Sequence, residues 1–116
     1  MNIELIRAFV LSLPHVQEDI KWENDLCFLI GGKMFCVTGL DSSPFGLSLK
    51  VTKEEYDELI EKPGIRPAPY LARYNWIYIE DAEVFNQEQW QYYIQQSYEI
   101  VKAKLPKKVI KSLDDQ

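Results

Sequence analysis

The chain has 116 residues, 47% of them hydrophobic and 27% charged, a composition that suits one globular domain, residues 1–116, around one core. A formal net charge of -5 argues against nucleic-acid binding by bulk electrostatics and leaves only a local cationic patch for it. No apolar run approaches the roughly 20 residues of a membrane helix, and the opening Met1-Asn2-Ile3-Glu4-Leu5-Ile6-Arg7 lacks a basic leader, so the protein is expected to be soluble, and cytoplasmic if bacterial; a monomer is the expected state.

Ile3, Ile6, Val10 and Leu13 recur at helical spacing, widened by Leu5, Phe9 and Leu11, and predict an amphipathic helix ended by Pro14. His15, the only histidine, has no ligand-spaced partners and reads as a boundary residue. Val16 to Trp22 alternate loosely as a short strand; Trp22 suits a core or a contact position equally. Glu23-Asn24-Asp25 is a polar turn. Leu26 to Ile30 and Lys33 to Leu40 are β-prone runs around Gly31-Gly32, the pattern of a hairpin whose primed turn needs positive φ at both central residues. Cys27 and Cys36 flank that turn at a spacing that fits neither a redox pair nor a zinc knuckle. They read as small apolar residues, with a cross-strand disulfide as the alternative.

Residues 41–44 form another turn, after which Phe45, Leu47, Leu49 and Val51 share one strand face at period two. Thr52 with Glu55 three positions later predicts a capping box and a helix to about Glu61. Trp76 to Ile79 is a further strand, with Ile77 and Ile79 on one face and the aromatics Trp76 and Tyr78 partly exposed on the other. Asn86 caps a long helix from Gln87 to about Leu105, whose stripe includes Trp90, Tyr93, Ile94, Tyr98 and Val101; Pro106 ends it, and Val109, Ile110 and Leu113 suggest one more turn. The expected fold is α+β, an antiparallel sheet with helices packed on one face, in the order α-β-β-β(-β)-α-β-α.

Between the second helix and the last strand lies the most distinctive stretch, Lys62-Pro63-Gly64-Ile65-Arg66-Pro67-Ala68-Pro69-Tyr70-Leu71-Ala72-Arg73-Tyr74-Asn75-Trp76. Its prolines remove donors and fix φ, which predicts a rigid, extended loop. Its Lys62, Arg66 and Arg73 have no acid between them, and Tyr70, Tyr74 and Trp76 supply aromatic contact, so it is the expected recognition surface. Trp76 has a second reading, in which the loop folds over the sheet edge and the indole closes the core. The lysines at 102, 104, 107, 108 and 111 suit a helix C-terminus, where cations favour the macrodipole, and are a second basic cluster. No nucleophile, base and oxyanion site can be assembled, and the adjacent acids Glu54-Glu55 and Asp114-Asp115 point apart or lie in a tail; neither catalysis, cofactor nor metal is expected.

Four segments, Leu13 to Asp19, Gly31 to Phe35, Arg66 to Trp76 and Ser97 to Lys108, together resemble the MmcQ/YjbR family of small bacterial proteins, and the resemblance covers nearly the whole chain. It implies a CyaY/frataxin-like α+β fold, a cytoplasmic setting and DNA binding through a double-wing arrangement of loops. Carried onto this sequence, the implied DNA surface uses Lys33 at the hairpin tip, Lys50 and Lys53 near the next element, and Lys62, Arg66 and Arg73 on the loop. Iron binding, which the fold also suggests, ranks well below DNA, because the first helix offers only Glu4 before Leu13. The alternative partner is a protein or small ligand held by Tyr70, Tyr74 and Trp76.

Overall fold

Asn2 starts the chain's first helix, α1 (Ile3–Ser12), by accepting the Leu5 N–H, and the stripe of Ile6 and Val10 is buried. The computed structural model describes residues 2–21, 24–39 and 44–114; the expectations for Trp22, Glu23, residues 40–43 and Asp115 fall outside them. Strands β1 (Gln17–Lys21), β2 (Asp25–Ile30), β3 (Lys33–Gly39) and β4 (Leu47–Lys50) follow as an antiparallel meander. Helix α2 (Lys53–Leu59) carries the full Thr52–Glu55 capping box. Then come β5 (Ile65–Pro67), β6 (Trp76–Ile79), α3 (Gln87–Ala103) and α4 (Lys107–Asp114).

The six strands form one antiparallel sheet in the order β1-β2-β3-β4-β6-β5. Residues opposite each other across antiparallel strands share a face, so the register sorts the side chains. Phe28, Cys36, Leu47, Leu49, Ile65, Ile77 and Ile79 turn towards the helices and join Ile6, Val10, Trp90, Ile94 and Tyr98 in one core. Trp90 and Tyr98 anchor it. Each buried ring keeps its polar atom satisfied, since the Trp90 indole donates to the Ala82 carbonyl at 2.9 Å and the Tyr98 hydroxyl to that of Pro14 at 2.7 Å. The register slips after Phe28, which pairs with Cys36 while Leu29 pairs with Met34. Phe35 is therefore the extra residue of a bulge, and its ring meets Tyr98 edge-on at 5.4 Å.

Two expectations change, and one alternative, the disulfide, falls away. The proline segment is not a simple extended loop: Ile65–Pro67 adds a sixth strand at the sheet edge, where the donorless nitrogen of Pro67 is tolerated, and Ala72–Tyr74 closes into a single 3-10 turn. Trp76 is not partly exposed but 5% accessible, because that turn folds back and the Ala68 N–H bonds the Trp76 carbonyl at 3.1 Å. The cysteines are free thiols whose register puts Cys36 with the core and Cys27 on the opposite face, which leaves no geometry for a bridge between them.

Candidate functional site

Strand pairing divides the cations that the sequence grouped together. Lys50 lies opposite Trp76 at one end of the sheet, whereas Ile65 pairs with Ile79 and its N–H returns to the Lys62 carbonyl at the other end. Lys62 is therefore a strand length away from Lys50, roughly 10 Å at 3.3 Å per residue. Arg66 is exposed but engaged: its guanidinium lies 3.5 Å from the Glu80 carboxylate and 5.0 Å from the centre of the Tyr78 ring. Lys53 pairs with Asp57 at 2.7 Å on α2. Arg73 stacks over Tyr74 at 4.8 Å.

What the fold does bring together is Lys33 at the start of β3, Lys50 at the end of β4 and Lys104 at the cap of α3. They border a cleft of about 480 Å³ walled by Met34, Leu71, Tyr74, Trp76, Val101 and Leu105. Among the described residues no acid lines it. Lys33 and Lys104 are exposed, and among the described residues neither is in an ion pair. The half-buried Lys50 donates from its ammonium to the Tyr74 carbonyl. Burial, and then the nearby charge of Lys104, hold its pKa below the ordinary lysine value.

Ser97 fixes this corner. It is fully buried on α3, its hydroxyl accepts the Lys50 N–H at 2.9 Å and donates to the Phe35 carbonyl at 2.6 Å, so one side chain clamps α3 to β3 and β4. The Val51 N–H, bonded to the Asn75 carbonyl at 3.0 Å, holds the turn against the same strand end. Beside the cleft Tyr70 stands 98% exposed at φ +67°, a left-handed conformation that costs a non-glycine residue on the order of 1 kcal/mol. Tyr74 is 48% exposed. Of the residues expected from sequence, Lys33, Lys50, Tyr74 and Trp76 thus converge, with Trp76 as a buried wall; Arg73 and Tyr70 adjoin through the turn, and Lys53, Lys62 and Arg66 stand apart. Lys104 was missed, because as a helix-terminal lysine it had a sufficient explanation in the macrodipole.

A larger cleft of about 620 Å³ lies between α1 and strands β1 and β2. The only cation among its described lining residues, Arg7, is spent in a two-pronged bond to Glu18, at 3.1 and 2.5 Å, beside Glu4 and Asp19. Arg7 is thus neutralised by Glu18, and Glu4 and Asp19 leave the lining acidic. Among the described residues no three His, Cys, Asp or Glu side chains gather as a metal site would require, and no helix is long and apolar enough to cross a membrane.

Comparison with known proteins agrees with this architecture. The chain superposes on the crystal structure of a Deinococcus radiodurans protein described as a DUF419 domain, with a TM-score of 0.87 and 26% identity over 97% of this chain and 88% of that one. A Pseudomonas syringae protein shares the fold with a TM-score of 0.71 and 20% identity, over 86% of this chain and 98% of that one. No curated protein matches. The model of the YjbR family matches residues 11–100, which include the hairpin, the proline segment and most of α3, and the chain belongs to that family.

Proposed function

We propose that the protein is a non-enzymatic DNA-binding protein whose contact surface is centred on Lys33, Lys50 and Lys104, with Arg73, Tyr74 and the projecting Tyr70 at its margin. The observation that carries this reading is the gathering of three lysines around one cleft with no acid among its described lining residues, on a chain of net charge -5. Such a patch can meet phosphates locally, and the exposed tyrosine rings can stack on unpaired bases. The surface is smaller than the one drawn from sequence. Lys53 and Arg66 spend their charge on Asp57 and Glu80, and Lys62 lies at the other end of β6.

Fluorescence anisotropy with single- and double-stranded oligonucleotides tests it across salt. Affinity is expected to fall as salt rises, and Lys33→Ala and Lys104→Ala are each expected to reduce the slope of log affinity against log salt by about one, while Arg66→Ala barely changes it. Absence of binding at about 50 mM salt, or affinity indifferent to Lys33 and Lys104, overturns the proposal. A second reading, small-ligand binding, is favoured by the apolar walls of the same cleft, since a phosphate backbone gains nothing from Leu71, Val101 or Leu105.

A further inference from the structure

We infer that the cleft between the hairpin, the proline segment and the end of α3 is a binding site for one small organic anion, a carboxylate or phosphate carried on a flat apolar body. The inference shares its lysines with the DNA reading but stands whether or not DNA binds.

The cleft's volume, about 480 Å³, falls within the range of small-molecule pockets, and its walls are mainly apolar with a few convergent polar groups. The charged groups among them are all of one sign. Lys33, Lys50 and Lys104 border the same space, and burial first, with the nearby charge of Lys104 adding to it, makes the charged form of Lys50 costly. An anion among them offsets that cost and supplies the negative charge that the described lining side chains lack. Inorganic phosphate alone would satisfy the lysines and leave Leu71, Tyr74, Val101 and Leu105 facing water. A neutral aromatic would do the reverse. Only a ligand with both parts uses the whole cleft, and the aromatic walls Tyr74 and Trp76 suit a flat body.

The cleft is also built before any ligand arrives. Lys50 is held at its backbone by Ser97 and at its ammonium by the Tyr74 carbonyl, and Leu71 is fixed because its carbonyl accepts the Tyr74 N–H at 3.0 Å. Little ordering is left to be done on binding. The chemistry is shared by aryl carboxylates and by nucleotides, whose base and phosphate are likewise flat and anionic, so the test must separate the two sources.

The dye anilinonaphthalenesulfonate serves as the first probe, followed by its displacement with naphthoate, naphthalenemethanol, adenosine monophosphate and inorganic phosphate. Naphthoate is expected to displace the dye at least about tenfold better than the neutral alcohol, the scale of one charge-assisted hydrogen bond. Phosphate alone is expected to be ineffective. Displacement by adenosine monophosphate at lower concentration than naphthoate assigns the nucleotide source, and the opposite order the carboxylate source. Lys104→Glu and Leu71→Glu, each checked for folding by thermal melting, are expected to weaken the dye about tenfold or more, and the remote Lys111→Ala to leave it within about twofold. Equal displacement by the alcohol, or dye binding unchanged in both glutamate variants, overturns the inference. The oligonucleotide titration run in parallel keeps the two readings apart: dye bound without DNA removes only the DNA reading, and DNA bound without dye removes only this one.

Discussion

Ser97 matters more than its size suggests, because among the described residues its hydroxyl is the sole side-chain hydrogen-bond partner joining α3 to β3 and β4. It accepts from Lys50 and donates to Phe35 across 47 and 62 residues of sequence. Ser97→Ala removes the hydroxyl from both the Lys50 N–H and the Phe35 carbonyl at a fully buried position, and an unsatisfied buried group costs about 1–3 kcal/mol. Chemical denaturation is expected to register that loss, and Ser97→Thr is not expected to restore it, since the added methyl has no space at a fully buried position. A loss below about 0.5 kcal/mol in Ser97→Ala, under the net value of a single hydrogen bond, would show that the clamp is not needed.

At the level of elements, what could be read in advance was what depends on short separations. The Thr52–Glu55 capping box and the Asn86 cap are written within a few residues, and the structure contains both, Gln89 completing a second box with Asn86. Gly31-Gly32 likewise announced a primed turn, and both residues have positive φ, +57° and +82°. Strand β5 escaped because three residues containing a proline give no period, and pairing with β6 alone makes them a strand. The cleft escaped for a related reason: its lysines come from three elements that only the docking of the hairpin onto the end of α3 brings together. That docking can be tested through the two glycines. A β-carbon on Gly31 would lie 2.6 Å from a Leu105 methyl and 2.9 Å from one of Val109, whereas one on Gly32 meets nothing within 4 Å. Both substitutions carry the left-handed penalty of about 1 kcal/mol. Gly31→Ala adds overpacking, typically about 1–3 kcal/mol, so it is expected to melt well below Gly32→Ala and to disturb the cleft as well. Equal melting temperatures would mean that the hairpin tip does not rest on Leu105 and Val109.

Taken as a whole, the molecule places a strained charge in a protein whose surplus is negative, and this has a measurable consequence. Lys50 is half-buried, and desolvation, with Lys104 adding to it, holds its folded pKa below the ordinary value of 10.5 that it regains on unfolding. Between the folded value and 10.5 the unfolded chain binds more protons than the folded one, so this lysine's contribution to stability rises with pH through that window. Below the window both states are charged and the cost is fully felt. Lys50→Met keeps the apolar stem, removes the charge and exposes only the Tyr74 carbonyl, whose surroundings are wet enough for water to replace the ammonium. The variant is therefore expected to be more stable than the parent at neutral pH, by up to about 1 kcal/mol, and to lose the rise in stability towards alkaline pH. It is also expected to lose the anionic probe. A residue that lowers stability where it stands and is required for binding is one that the fold retains for its ligand rather than for its own sake, as functional sites commonly trade stability for chemistry. Melting curves from neutral to alkaline pH, run beside dye titrations, decide it: a Lys50→Met protein that is less stable at neutral pH and still binds the probe would make Lys50 an ordinary structural lysine, and the cleft would lose the group on which its charge is centred.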